Sequence, residues 1–218
     1  MSISQHDATE LDYPTSDGKP MAETERHRDE MMDLIWTLQR HFAGDPMVCV
    51  SGNLLLFYEE GNKRKHISPD VFVVRGVPKR ERLNYLVWRE GKGPDFVIEL
   101  TSKSTRAEDR KTKLALYRDV LHVSEYILFD PLAEYLRPPL QGFRLVDGEY
   151  TPIAPVAGRL PSAVLGLHLE RDGQSLRLVD PATAQRLLTP RQLAEAAEAE
   201  LARLRDELEA LRRRPDEP

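Results

Sequence analysis

Two acids and a lysine stand where their types and spacing could do chemistry. Pro69-Asp70 leads into the apolar run VFVV, Glu99 lies near the end of the short apolar stretch DFVIEL (95–100), and Lys113 falls in the helical stretch that follows. Strand alternation over DFVIEL puts Asp95, Val97 and Glu99 on one face and Phe96, Ile98 and Leu100 on the other. A carboxylate at the end of a buried strand needs a partner, because isolated burial costs several kcal/mol. A metal ion is one such partner. Asp95 and Glu99 lie roughly 13 Å apart along an extended chain, too far to share an ion comfortably. Asp70, from a separate strand, is the better second ligand. Two carboxylates on adjacent strands suit Mg²⁺ (or Mn²⁺), which prefers oxygen and keeps waters that leave room for a substrate phosphate. The chemistry would be phosphoester hydrolysis, with a water oriented for in-line attack and the leaving oxygen stabilised.

A lysine beside the acids would stabilise the developing charge. The simplest place, two residues after Glu99, holds Thr101. Lys103 is available on the following turn. Lys113 is the stronger candidate: on a helix it shares a face with Tyr117 and Leu121, and Asp109 at i−4 could hold it. The alternative is an edge lysine that snorkels outward and pairs with Asp109. Glu23 extends a helical stripe through positions 27, 31, 34 and 38, and is equally readable as an acid favoured by a helix N-terminus. In the turn TSKST, Ser104 or Thr105 could cap a helix over 106–122, leaving N–H groups for a phosphate or doing no more than capping.

The elements that must position these residues follow from periodicity. A helix is expected from Pro20, with Met31, Leu34, Ile35, Leu38 and Phe42 on its apolar stripe, stopped by Gly44, Asp45 and Pro46. Strands are expected at MVCV (47–50), NLLLFYEE (53–60), KHISPDVFVV (65–74), DFVIEL and SEYILFD (124–130). Strand, helix, strand from 95 to 130 is the pattern of a parallel crossover. Short strands and turns fill 131–180, with a hairpin at Asp147-Gly148. From 190, Ala194, Ala197, Leu201, Leu204, Leu208 and Leu211 form a heptad seam, open to two readings: a terminal helix packed on its own domain, or a coiled-coil homodimer. The expected organisation is an irregular segment (1–19), one domain (20–185) and a C-terminal helix (186–218).

The 218 residues are 40% hydrophobic and 31% charged, an ordinary globular balance. No apolar run is long enough to span a membrane, and the polar, acidic N-terminus does not read as a secretory signal. One cysteine, Cys49, sits in an apolar run and fits a buried core residue in a reducing cytoplasm. Net charge is −5, but residues 61–119 hold 15 basic against 8 acidic side chains. That basic middle, with Tyr85 and Trp88 inside it, could contact nucleic-acid backbone and bases; an unevenly charged solvated surface is the alternative. The six histidines are scattered, and no glycine loop for phosphates, Gly-x-Ser-x-Gly, Cys-x-x-Cys or His-Glu-x-x-His is present. Zinc, ATP-driven and serine-hydrolase chemistry are therefore disfavoured.

Taken as a set, ISPDVFVV, PDFVIELTSKST, the Asp109–Lys113–Tyr117 spacing and SEYILFDP resemble the Uma-two family of restriction-type endonucleases, within the PD-(D/E)XK nuclease superfamily. The likeness covers roughly residues 14–185. It implies an α/β (α+β) fold with a restriction-endonuclease-like core, a mixed central β-sheet flanked by helices. It implies Mg²⁺- or Mn²⁺-dependent hydrolysis of DNA, with Asp70 and Glu99 as metal ligands and Lys113 as a lysine moved from strand to helix. Ser102, Lys103, Ser104 and Thr105 fall on its substrate-facing turn, and Glu23 on its N-terminal helix acid. Thr101 departs from the superfamily's lysine, and the competing reading is a binding or assembly module that kept the fold without catalysis.

Overall fold

The structure is a computed structural model that describes residues 13–16 and 24–212. Glu23 and Pro20 lie outside the described residues. The first helix, α1 (Glu25–His41), starts at Thr24, whose extended backbone and side chain cap it by accepting from His27 N. The apolar stripe is as expected, with Met31, Leu34 and Leu38 buried, but the regular helix begins five residues after Pro20 because a threonine cap, not the proline, sets its start.

The strands are β1 (Val48–Ser51), β2 (Leu56–Phe57), β3 (His66–Ile67), β4 (Val71–Arg75), β5 (Tyr85–Leu86), β6 (Phe96–Leu100), β7 (Glu125–Phe129), β8 (Leu140–Val146), β9 (Glu149–Pro152), β10 (Leu160–Ser162), β11 (Leu167–Asp172) and β12 (Ser175–Val179). The central sheet is mixed and six-stranded, in the order β1-β4-β6-β7-β8-β9. Its parallel pair is β6–β7, joined by the expected crossover helix α3, whose first part (Glu108–Lys113) is π-helical and whose second (Leu114–Asp119) is α-helical. The β8–β9 hairpin turns at Asp147-Gly148, both with positive φ, as an Asp-Gly pair allows.

Two layers cover the sheet. On one face Val71, Val73, Phe96, Ile98 and Leu100 pack with α1 and with the small antiparallel sheet β10–β12. On the other face Phe72, Val97, Tyr126 and Leu128 pack with Tyr117 and Leu121 of the α3 segment and with Leu56 and Tyr85. Alternation in β6 therefore aims Glu99 at α3, on the side opposite Phe96, Ile98 and Leu100.

The stretch 65–74 differs from one continuous strand. β3 and β4 are separated by Ser68-Pro69-Asp70, and β3 belongs to a separate sheet with β2 and β5. Proline removes a ladder donor, and Pro69 O instead accepts from Asn53 N at 2.8 Å. The expected strand 53–60 shortens to the two residues of β2.

The basic excursion 75–94 is not an aromatic surface for bases. Tyr85 is fully buried and donates to Lys92 O, and Trp88 packs against Tyr13. Three of its cations are committed to acids: Arg80 and Arg82 to Glu90, and Lys92 to the adjoining Asp95. A short helix, α2 (Val87–Glu90), closes this segment. The last helix, α4 (Pro190–Arg212), buries none of its described residues, so it does not pack its leucine seam on its own domain. No helix among the described residues is long and apolar enough to cross a membrane.

Candidate active site

β4 and β6 run antiparallel, with Val71 opposite Ile98 as their last pair. One step further along the same register puts Asp70 opposite Glu99. Asp70 Oδ2 accepts from Leu100 N at 2.7 Å, which ties the acid to the end of β6. Its other oxygen lies 3.2 Å from His27 Nε2 of α1. The backbone of Asp70 is braced by Gly52: a Cβ on that glycine would stand 2.0 Å from Asp70 O and 2.7 Å from Ile35 Cδ1. Only a residue without a side chain lets the two segments approach so closely.

Glu99 is 1% exposed and has two donors. Lys113 Nζ donates to Oε2 at 2.7 Å and Tyr117 OH to Oε1 at 2.6 Å. Lys113 also lies 3.1 Å from Asp109 Oδ1, its i−4 neighbour. The two open readings of Lys113 thus meet in one arrangement: it pairs with Asp109, and it points inward to Glu99 rather than out to solvent. Asp109 is itself buried, and Thr101 Oγ1 donates to its Oδ2 at 2.7 Å while also contacting Tyr135 OH. Tyr126 OH donates to Asp109 O, in the π-helical segment. Thr101, which replaces a strand lysine in the sequence pattern, therefore holds the acid that holds the helix lysine.

The electrostatics of this cluster are unbalanced. Burial pushes the Glu99 carboxyl up, and the Asp70 and Asp109 charges push it further, against the opposing pull of Lys113. Burial pulls the Lys113 ammonium down, but Glu99, Asp109 and Asp70 outweigh it and hold the lysine protonated. A contrast lies one strand away. Glu125 is equally buried, yet accepts from Arg144, Ser162, Ala163 N and Val164 N, the saturated pattern of a structural acid. Glu99 shares its ammonium with Asp109 and feels the charge of Asp70 besides. No three His, Cys, Asp or Glu side chains form a ready-made metal cage among the described residues. Asp70 and Glu99 retain lone pairs beyond their present donors, and a two-carboxylate Mg²⁺ site completed by waters needs no third acid.

The turn after β6 is tied to itself. Ser102 and Ser104 hydroxyls lie 2.8 Å apart, and Thr105 Oγ1 accepts from Ser102 N. The capping expectation for Ser104 and Thr105 thus gives way to contacts within the turn. Lys103 is exposed there. Beyond it, Arg106, Ala107, Arg110, Lys111 and Tyr135 line an open cavity of about 620 Å³. None of Lys103, Arg106, Arg110 and Lys111 has an ion-pair partner among the described residues, unlike Arg80, Arg82 and Lys92. Asp95, set aside on spacing, is structural: it accepts from Arg75 N and Lys92 Nζ.

Sequence reasoning missed His27, Thr101 as a hydrogen-bonding link, Tyr135 and Gly52. His27 carried a signal, since it occupies the α1 stripe one turn before Met31. The others depend on long-range contacts that no spacing encodes.

The profile of the Uma2 family, described as "Putative restriction endonuclease", matches residues 4–175. None of the curated proteins matches. Among solved structures, a protein of Anabaena variabilis described as a putative nuclease belonging to DUF820 has a similar fold, with a TM-score of 0.50 and 16% identity over 72% of this chain and 85% of that one.

Proposed function

The chain belongs to the Uma2 family, whose profile covers most of its length, and from that premise we propose that it is a Mg²⁺- or Mn²⁺-dependent endonuclease that hydrolyses DNA phosphodiester bonds. Asp70 and Glu99 would hold the cation, and Lys113 would stabilise the transition state. The observation that carries this reading is the buried pair Glu99 and Asp109 on the single ammonium of Lys113, with the part-buried Asp70 tied to the end of the same strand and adding its charge to theirs. Buried carboxylates in excess of their counter-charge favour an added proton or an added cation. Bound there, the cation would supply the Lewis acidity that activates water and steadies the leaving oxygen.

The chain's own groups have separable roles. Lys113, kept protonated by three carboxylates, presents a permanent ammonium for a phosphate oxygen. Tyr117 orients Glu99 from the next helical turn. Thr101 fixes Asp109, and Asp109 fixes Lys113. The uncommitted cations Lys103, Arg106, Arg110 and Lys111 border the site and suit a phosphate backbone, which supports DNA as the substrate. Ser102, Ser104 and Thr105 shape the turn that carries Lys103. Glu23, outside the described residues, keeps the role of a further acid contributed ahead of α1. A binding module without catalysis is the competing reading. It leaned on Thr101, and the helix-borne ammonium on Glu99 weakens that support.

The test is cleavage of plasmid and single-stranded DNA with Mg²⁺, Mn²⁺ or EDTA. Wild type is compared with Asp70→Asn, Glu99→Gln and Lys113→Met, each checked for folding by circular dichroism. Metal-dependent cutting that all three folded variants lose is the expected result. Salt-sensitive DNA binding with no cutting in any metal would replace the nuclease with the binding module.

A further inference from the structure

The leucine seam of α4 carries an inference independent of the catalytic site. Leu201, Leu204, Leu208 and Leu211 are between 44% and 63% exposed, in a helix of 23 residues that buries none of its side chains. The base of the helix is anchored. Thr189 is buried and forms a reciprocal cap with Gln192: Thr189 N donates to Gln192 Oε1, and Gln192 N to Thr189 Oγ1. Beyond that base the seam repeats strictly at intervals of three and four, the 3.5-residue period of a two-helix coil. It places Ala194, Leu201 and Leu208 at a and Ala197, Leu204 and Leu211 at d.

The flanking charges say which helix would cover it. In this register Leu193, Glu200 and Glu207 occupy g, and Glu198, Arg205 and Arg212 occupy e. In a parallel pair, each g residue faces the e residue five positions further along the other helix. Glu200 then faces Arg205 of the second copy, and Glu207 faces Arg212, in both directions across the two-fold axis. An antiparallel pair would break both of these contacts and set the g glutamates, Glu200 and Glu207, against each other. Within one copy, Glu200 and Glu207 both lean on Arg203, at 2.5 and 3.1 Å. Arg205 and Arg212 have no ion-pair partner among the described residues. The helix therefore carries two arginines whose complement lies at the matching positions of an identical helix.

We infer that α4 pairs in parallel with α4 of a second copy, so that the chain is a homodimer with both domains at the same end of a short coil. Sedimentation of the full chain across the micromolar range reads this without reference to nuclease activity. The expected result is a reversible monomer–dimer equilibrium. Glu200→Arg/Glu207→Arg, and separately Arg205→Glu/Arg212→Glu, should each weaken self-association by about tenfold or more, since four attractive contacts become repulsive. Mixing the two variants should restore a dimer. Leu211→Cys should cross-link to itself under mild oxidation, whereas the wild type, with only buried Cys49, should not. A chain that is monomeric throughout, or charge-reversed variants that associate as tightly as wild type, would overturn the inference. A dimer that persists without Leu211→Cys cross-linking would overturn the parallel arrangement.

Discussion

Asp70→Asn separates a metal ligand from a structural acid. The substitution keeps an oxygen for Leu100 N, which now donates to Asp70 at 2.7 Å, and removes only the charge. Directly opposed strand residues stand about 5 Å apart. At that separation, with an effective dielectric constant of about 20, two charges interact by about 3 kcal/mol. Asp70 repels Glu99 and attracts Lys113, and Asp109 adds a further like charge to the group. One attraction, to Lys113, is thus lost against one repulsion, from Glu99, and an asparagine keeps an oxygen for Leu100 N and a polar group beside His27. Glu99 can also relieve repulsion by taking up a proton, so the net change is smaller than the bare sum. The two terms roughly cancel, so the metal-free variant should stay within about 1 kcal/mol of wild type. The cation response should go the other way. For a dissociation constant of about 1 mM, a tenfold excess of Mg²⁺ contributes about 1.4 kcal/mol to the wild type. In a protein of this size that raises Tm by about 3–6 °C. Thermal melts at pH 8 with EDTA or MgCl₂ make the comparison. Wild type should gain this shift and Asp70→Asn should lose most of it. Equal shifts in the two proteins, or a metal-free variant destabilised by several kcal/mol, would refute the reasoning.

Lys113→Met leaves Glu99 and Asp109 buried without their shared ammonium, and urea unfolding near neutral pH should show a loss of about 3–5 kcal/mol. Burial and neighbouring carboxylates push Glu99 up to about 8, so the folded chain binds a proton that the unfolded chain has released. Metal-free stability should therefore fall as pH rises from the ordinary glutamate range through about 8, and Mg²⁺ should flatten that slope; urea melts at pH 5.5 and 8.5 test the sign. Gly52→Ala would push a Cβ to 2.0 Å from Asp70 O. It should cost about 1–3 kcal/mol by calorimetry and reduce cleavage with it, since the acid itself must move.

Much of the architecture was legible because local pattern and burial agree. The α1 stripe, the β6–α3–β7 crossover, the Asp147-Gly148 hairpin and the heptad of α4 each follow from spacing within a single element. Asp70 and Glu99 stood out for a related reason: an acid inside an apolar run is costly unless something meets it. The same rule failed at Tyr85 and Trp88. Aromatic residues among cations look like a nucleic-acid surface, but in the fold they pack inward, and Glu90 and Asp95 take up Arg80, Arg82 and Lys92.

The sequence by itself thus determined which side chains are chemically conspicuous and which element carries each. Only the tertiary structure decided how they meet. The β4–β6 register, which leads Asp70 to Glu99, depends on pairing residues 23 to 27 positions apart. The inward aim of Lys113 depends on Asp109, and that on Thr101, eight residues earlier on another element. The approach that only Gly52 permits depends on where Asp70 lies in space. Spacing along a chain fixes the face of a helix or strand. The energy of a buried charge is set by the groups packed around it, and folding alone assembles those.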